Sequence, residues 1–207
     1  MSLSIGIVGL PNVGKSTLFN ALTGLRQHTG NWAGKTVAAA EGRYTYEGTE
    51  YRVVDLPGTY SLNARSPEEQ AARDFIVSGK ADGVIVVCDA TCLERNLILV
   101  LQVLELTERV LVCVNLMDEA RRFGIEVDPV GLSRRLGVPV VGISAGRQEG
   151  LEKLKEAAAE LLQRDGRQPD TARGGEERVT LAERYAAQVV RSRRAEALRR
   201  QRRLDRL

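Results

Sequence analysis

Apolar and polar positions along the 207-residue chain follow two alternating patterns. Short β-rich runs occupy residues 3–9, 42–48, 50–56, 83–89, 109–115 and 138–144, and the first run and the last three have continuous apolar cores, which is typical of strands covered on both faces. Helical patterns occupy residues 15–25, 67–78, 93–107, 129–137 and 148–163. We therefore predict an α/β fold with a six-stranded, mostly parallel sheet flanked by helices, an antiparallel hairpin at one edge, and ligands at the carboxyl ends of the strands.

The last quarter of the chain has a different composition. Residues 164–178 combine Gly, Pro and mixed charge without periodicity, whereas residues 179–206 lack Gly and Pro and favour one long helix or two short ones. The pattern predicts a domain over 1–163, a linker over 164–178 and a short helical extension over 179–207. The extension is arginine-rich without interleaved aromatic residues, which favours a solvated or lipid-facing helix and no nucleic-acid partner.

The clearest chemical motif is "GLPNVGKS" at residues 9–16, which fits G-x-x-x-x-G-K-[ST] between a predicted strand and a predicted helix. Glycines at these positions let backbone N–H groups surround phosphates at the positive end of the helix. Lys15 is predicted to neutralise the β- and γ-phosphates, and the Ser16 hydroxyl to ligate Mg²⁺. A second motif, "DLPG" at 55–58, predicts that Asp55 holds Mg²⁺ through water and that the Gly58 N–H meets the γ-phosphate.

Two further strand ends carry residues suited to a purine. In "NLMD" (115–118), the Asp118 carboxylate would accept hydrogen bonds from N1–H and the 2-amino group of guanine, which adenine does not offer. In "SAG" (144–146), the Ala145 N–H would meet the guanine O6. Taken alone, "NLMD" could equally well be an Asx turn that caps the next helix. Four motifs in this order at four strand ends predict that the ligand is GTP or GDP.

The segment "TGNWAGKTV" (29–37) lies between the first helix and the second strand. Thr36 is predicted to complete the Mg²⁺ shell when a γ-phosphate is bound. Trp32 either anchors this loop by burial or contacts a partner. The complete predicted nucleotide site consists of Gly9, Leu10, Pro11, Asn12, Val13, Gly14, Lys15, Ser16, Thr17, Gly34, Lys35, Thr36, Asp55, Leu56, Pro57, Gly58, Asn115, Leu116, Met117, Asp118, Ser144, Ala145 and Gly146.

Five stretches, "GLPNVGKSTLFNALTG", "GNWAGKTV", "DLPGTYSL", "DATCLERNL" and "NLMDEA", together resemble the N-terminal G domain of the ferrous iron transport protein B (FeoB) family over residues 3–163. The resemblance implies a P-loop GTPase fold at the cytoplasmic face of the inner membrane, with a helical GDI-like linker domain and a membrane transport domain following in the same chain. It also implies that this chain is a soluble fragment with a shortened linker domain. Iron is implied by the resemblance alone, and self-association is left open.

Residue 59 raises a question about hydrolysis, because Thr59 stands where small GTPases carry the glutamine that orients the attacking water. The resemblance implies slow GTP hydrolysis activated by K⁺, with Asn12 as a K⁺ ligand helped by carbonyls near Asn31 and Trp32. The alternative is that Asn12 is only a turn residue. The predicted catalytic residues are Asn12, Lys15, Thr36 and Gly58.

Leu10, Lys35 and Ala38 depart from the family pattern. Separately, Leu116 stands where the common form of the Asn-x-x-Asp motif has lysine, and its apolar side chain can still pack over a base. Two other functions remain open. One competing function is a free-standing GTPase of the Era or Der type acting on ribosomal RNA, which would be expected to have lysine at position 116 and an RNA-binding fold after the G domain. A nucleotide-binding scaffold without hydrolysis is the other, and Thr59 suggests it.

Overall fold

The computed structural model of the chain describes residues 3–24, 27–31, 38–163 and 175–192. Its strands are β1 (Leu3–Gly9), β2 (Gln27–Asn31), β3 (Ala38–Tyr46), β4 (Thr49–Asp55), β5 (Gly83–Asp89), β6 (Val110–Asn115), β7 (Ile125–Val127), β8 (Val140–Gly142) and β9 (Val190–Ser192). Its helices are α1 (Lys15–Thr23), α2 (Pro67–Val77), α3 (Leu93–Leu104), α4 (Met117–Arg122), α5 (Pro129–Leu136), α6 (Leu151–Gln163) and α7 (Gly175–Val189).

The main sheet has the order β2-β3-β4-β1-β5-β6-β8. Strand β1 lies between β4 and β5 and is parallel to both, and β6 and β8 continue the parallel part. The carboxyl ends of these five strands therefore lie along one end of the sheet. In open α/β sheets, ligands bind at this end, where the strand order reverses. The predicted α/β fold with a mostly parallel sheet flanked by helices is confirmed.

The side of the sheet formed by β2, β3 and β4 is antiparallel, as predicted, but it has one strand more than the sequence pattern indicates. Strands β3 and β4 form a hairpin whose two turn residues, Glu47 and Gly48, both have positive φ, the geometry that suits the twist of a two-residue hairpin. Strand β2 pairs with β3 and makes seven strands in the sheet. Its sequence, QHTGN, has no apolar alternation, so periodicity gives no signal for it.

Helix boundaries follow from local capping chemistry. The Ser66 side chain accepts a hydrogen bond from the Glu69 N–H at the start of α2, and Pro67 occupies the first helical position. The Asp128 side chain caps α5 in the same way, through the Gly131 N–H at 2.9 Å. Both helices begin where the sequence predicts. Helix α4 was not predicted, because its six residues are too short to show a 3.6-residue period.

The C-terminal segment is packed onto the rest of the fold. Helix α7 begins at Gly175, inside the stretch predicted as a linker, and it ends at Val189 rather than continuing towards residue 206. Its buried residues Leu181, Ala182, Ala186 and Val189 belong to the main core. Strand β9 then pairs antiparallel with β7. The chain turns at this point because a strand partner is present, which no local pattern in the sequence reveals.

A polar contact accompanies this packing. The Arg178 guanidinium on α7 lies 2.6 Å from the Glu105 carboxylate at the end of α3, and both side chains are largely shielded from solvent. Burial of an ion pair adds little net stability but fixes the relative position of the two helices. None of the helices in the described part of the chain is long and apolar enough to span a bilayer.

Two neighbouring alanines on α7 test whether this helix belongs to the core. Ala186 is buried and Ala187 is exposed, so Ala186→Asp places a carboxylate in the apolar contact whereas Ala187→Asp places it in water. We expect Ala186→Asp to lower the free energy of unfolding by about 2–4 kcal/mol more than Ala187→Asp does. Both variants lose the same helix propensity, so urea denaturation of the pair isolates the burial effect. Equal destabilisation would show that α7 does not pack as described.

Candidate nucleotide-binding site

The loop at residues 9–16, called the phosphate loop below, joins β1 to α1 at the carboxyl end of the parallel strands. Asn12 and Gly14 both have left-handed backbone conformations, with φ of 67° and 81°. No side chain caps α1, so its first N–H groups point out of the helix without a capping acceptor from a side chain. An anion at this end would be bound by these N–H groups and the helix dipole. Leu10 and Val13 are buried, so only their backbone can serve a ligand.

Lys15 at the start of α1 and Asp55 at the end of β4 lie together. Asp55 ends β4, opposite Ile7 of β1, and its carboxylate Oδ1 accepts a hydrogen bond from Lys15 Nζ. Both side chains are about nine-tenths shielded from solvent. The sequence predicted that Lys15 contacts phosphate and Asp55 contacts Mg²⁺, and the structure pairs the two residues with each other. Ser16 is exposed in the first turn of α1, beside Lys15.

The loop that follows Asp55 lies against the phosphate loop. The Leu56 N–H donates to the Ile7 carbonyl at 3.0 Å, and the Thr59 N–H donates to the Gly9 carbonyl at 3.1 Å. Gly58 sits so close to Pro11 that a methyl group added to it would lie 3.4 Å from the Pro11 backbone. These contacts place the residues predicted for the γ-phosphate directly beside the phosphate loop.

The Thr59 side chain is turned into the protein. Thr59 is only 3% exposed, and its hydroxyl donates to the Ser61 carbonyl at 2.7 Å. Because the hydroxyl is buried and its proton is donated to Ser61, Thr59 is not placed to orient a water molecule as a glutamine would.

Two residues that sequence reasoning missed hold the next turn of this loop. The Gln102 amide oxygen on α3 accepts the Leu62 N–H at 2.9 Å, and the Arg73 guanidinium on α2 donates to the Leu62 carbonyl at 3.0 Å. Both bonds end on the Leu62 backbone, which fixes the path of the loop between the two helices. The available signal was Gln102 itself, a polar residue within the apolar pattern of α3.

Asn115 connects three loops through one buried side chain. Its Nδ2 donates to the Val13 carbonyl of the phosphate loop at 3.0 Å, and its Oδ1 accepts the Ala145 N–H at 3.0 Å. Asn115 is 1% exposed. A methyl group added to Gly14 would lie 2.4 Å from Nδ2, so the phosphate loop passes Asn115 too closely for any larger residue at position 14. The predicted phosphate and base regions are thus held at a fixed separation.

The Asn115 contact changes the prediction for Ala145. This N–H was predicted for the guanine O6, and in the structure it already has a protein acceptor in Asn115. A guanine O6 would share the donor with Asn115 in a three-centre bond. Residues 115–118 and 144–147 together form what we call the base corner. In it, the Met117 N–H donates to the Ile143 carbonyl, and Leu116 has a left-handed φ of 62° at the start of α4.

Asp118 lies in this corner among several donors. Its backbone N–H donates to Ser144 Oγ at 3.1 Å, and its carboxylate Oδ2 is 2.9 Å from Arg147 Nε. Burial raises the pKa of Asp118. The Ser144 hydroxyl, the N–H groups of Glu119 and Asp118, and the Arg147 charge lower it more, so the pKa lies below its usual value. Asp118 is therefore an acceptor-only carboxylate throughout the neutral range, which is the state that guanine recognition requires.

The remaining predicted residues fall into two groups. Gly34, Lys35, Thr36 and Trp32 lie outside the described residues. Thr17 lies in the first turn of α1, Pro57 in the loop after Asp55, and Gly146 in the turn Ala145–Arg147. Asn12 is exposed and its backbone is in a turn conformation, which is compatible both with a turn role and with a cation ligand.

Comparison with known proteins identifies one family that matches most of the chain. Residues 3–158 match the family described as ferrous iron transport protein B. The Fe(2+) transporter FeoB of Salmonella typhimurium is 49% identical over 157 residues, which covers 74% of this chain and 20% of that protein. The chain thus spans about a fifth of the length of the relatives it matches.

Solved structures give the same result. The cytosolic domain of the T. maritima FeoB iron transporter has been solved in a GDP form and in a GMPPNP form. Each is 30% identical to this chain with a TM-score of 0.84, and each comparison covers 92% of this chain and 100% of the solved one.

Removal of the Asn115 side chain tests whether it holds the site together. Asn115→Ala leaves the Val13 carbonyl and the Ala145 N–H without their partner in a buried place, so we expect the free energy of unfolding to fall by about 2–4 kcal/mol. Nucleotide affinity should fall with it. Asn63→Ala, at an exposed asparagine, is the matched control and should stay within about 0.5 kcal/mol of wild type. Chemical denaturation and nucleotide titration measure both effects, and similar values for the two variants would contradict the role.

Proposed function

Because the chain belongs to the ferrous iron transport protein B family, we propose that it binds guanine nucleotides and hydrolyses GTP as the regulatory domain of a ferrous iron transporter. The observation that carries the proposal is the Asn115 amide, which ties the phosphate loop to the Ala145 turn. A nucleotide has a phosphate end and a base end at a set distance, and this amide sets the corresponding distance in the protein. The GDP and GMPPNP forms of the T. maritima domain support the choice of nucleotide.

Base selection is assigned to Asp118. Its lowered pKa keeps it ionised, so it accepts from the guanine N1–H and 2-amino group. Adenine presents an acceptor at N1 and would leave a largely shielded carboxylate opposite a lone pair, which costs orders of magnitude in affinity. Leu116 takes the place of a lysine stem and packs its apolar side chain near the base.

Phosphate binding is assigned to the start of α1. Its N–H groups and the Lys15 ammonium would contact the β- and γ-phosphates, and Lys15 would leave Asp55 for the phosphate oxygens. The Ser16 hydroxyl and the Asp55 carboxylate are the hard oxygen donors that suit Mg²⁺, with Thr36 as a third ligand. When bound, this ion would neutralise charge on the β- and γ-phosphates.

Hydrolysis is assigned to groups other than Thr59. Since the Thr59 hydroxyl is buried and donates to Ser61, the attacking water would be held by backbone N–H groups, including that of Gly58. K⁺ bound at Asn12 would offset the charge that develops between the phosphates, as an arginine finger does elsewhere. This division predicts a low intrinsic rate, because Thr59 does not supply the water-orienting side chain that a glutamine would.

The setting of this activity is taken from the relatives. In the full-length protein the domain would lie at the cytoplasmic face of the membrane and act on a membrane transport domain of the same chain. Helix α7, which packs on the core, would belong to a shortened helical extension that follows the domain. Self-association is compatible with this setting, and nucleic acid is not proposed as a partner. Action on ribosomal RNA is not proposed either, because the matched family is that of an iron transporter.

Exchange of the base-recognition carboxylate tests the proposed nucleotide. Asp118→Asn replaces an acceptor with an amide whose N–H₂ group opposes the guanine 2-amino group but suits the O2 of xanthine. We expect affinity for GDP to fall by about 100-fold or more and binding of xanthosine diphosphate to appear. Competition against fluorescent GDP measures both, with ATP as a further competitor that should not bind to the parent protein.

Asp128→Asn is the matched control, since Asp128 caps α5 away from the base corner and asparagine caps equally well. It should bind GDP as wild type does. The proposal fails if the parent protein does not prefer GTP over ATP, or if Asp118→Asn leaves the GDP and xanthosine diphosphate affinities unchanged.

Replacement of Asn12 tests the potassium role. Because Asn12 has a left-handed backbone, Asn12→Gly removes the carboxamide without backbone strain, whereas Asn12→Ala adds about 1 kcal/mol of strain. We expect Asn12→Gly to abolish K⁺ stimulation of single-turnover GTP hydrolysis and to keep GDP affinity within a few-fold of wild type. Equal rates for the parent protein in K⁺ and Na⁺ would rule the potassium role out, and absence of hydrolysis in both would favour a non-hydrolysing scaffold.

A further inference from the structure

The base corner contains a charged residue that the predicted nucleotide site does not include. Arg147 ends the short 3-10 turn Ala145–Arg147, and its Nε lies 2.9 Å from Asp118 Oδ2. The Arg147 side chain is 58% exposed, whereas the Asp118 side chain is 19% exposed. The arginine therefore approaches a mostly shielded carboxylate from the solvent side.

The turn that carries Arg147 is closed at its base. The Ser144 N–H donates to the Glu149 carbonyl at 3.1 Å, and the Glu149 N–H donates back to the Ser144 carbonyl at 3.2 Å. Gln148 reverses the chain with a left-handed φ of 57°. Ser144 also accepts the Asp118 N–H, so the turn and the start of α4 are held together. The backbone thus brings Arg147 to Asp118, while the side chain itself is able to move into water.

The chemistry of the two possible partners of Asp118 is closely related. An arginine guanidinium presents N–H groups on a planar N–C–N unit, a fork that matches the two oxygens of a carboxylate. The N1–C2–N2 edge of guanine is the same planar N–C–N unit with N–H groups on both nitrogens. Adenine does not have this edge.

We propose that Arg147 occupies Asp118 as an internal substitute for guanine, so that nucleotide binding exchanges the guanidinium for the base. The proposal rests on the proposed function, because it requires that guanine binds at Asp118. In the free protein Arg147 keeps the carboxylate paired and correctly oriented. An incoming base must replace this contact with N–H donors of its own, which the N1–C2–N2 edge of guanine supplies.

The exchange has a distinct kinetic signature. Since Arg147 competes with guanine only before the base is bound, its removal raises the association rate constant of the nucleotide and leaves the dissociation rate constant unchanged. An exposed ion pair is weak, so the expected increase is about two- to fivefold. A residue that only attracts the anionic nucleotide would have the opposite effect, because its removal lowers association. A residue that covers the bound base would instead change dissociation.

Stopped-flow binding of fluorescent GDP to Arg147→Ala and Arg121→Ala distinguishes these roles. Arg121 is the matched control, because its guanidinium is 60% exposed and, among the described residues, its ion pair is with Glu149 at 3.2 Å and not with Asp118. Its removal subtracts the same charge and should leave association equal to or below wild type. Thermal unfolding of both variants should match wild type, since both side chains are at the surface.

The outcomes separate the two proposals. Faster association for Arg147→Ala alone, with unchanged dissociation, supports the exchange. Unchanged or slower association for Arg147→Ala, or faster dissociation, overturns it while leaving guanine binding intact. If the parent protein does not bind GDP at all, the proposed function fails first and the exchange fails with it.

Discussion

The site depends on one buried side-chain amide. Asn115 has a donor and an acceptor on the same planar group, and it uses them on two loops that follow different strands. An amide satisfies a carbonyl and an N–H at once through two separate atoms, and burial makes each bond expensive to lose. The parallel sheet brings the loops to one edge, but the amide sets their separation. Gly14 follows from the same constraint, because the Asn115 nitrogen occupies the space of a side chain at position 14.

Helix α3 has a comparable role on the other side of the nucleotide site. Gln102 on its buried face holds the Leu62 backbone in the loop after Asp55, and Glu105 at its end pairs with Arg178 on α7. Arg95 near its start lies 5.0 Å from the ring of Tyr60 in the same loop. One helix therefore contacts both the loop that follows Asp55 and the C-terminal helix α7.

The parts of the structure that could be predicted are those in which local chemistry dictates residue type. The strand cores of β1, β5 and β6, the Ser66 and Asp128 caps and the phosphate loop all show patterns within a few residues of sequence. Strand β2 could not be predicted because its sequence has no apolar alternation, and β7 and β9 could not because each pairs with a strand distant in the chain. The Gln102 and Arg147 contacts were missed for the same reason: each joins residues that become neighbours only when the sheet is assembled.

Both carboxylates assigned to ligand binding are paired with cations of the chain itself. Asp55 pairs with Lys15 and Asp118 pairs with Arg147, one pair at the phosphate end and one at the base end. A shielded carboxylate without a partner is costly, so a site that must present two of them needs provisional partners. Those partners differ in burial: Lys15 is enclosed at a helix start, whereas Arg147 reaches in from solvent. It follows that the base end can exchange its partner with little rearrangement, while the phosphate end changes only together with the loops that enclose it.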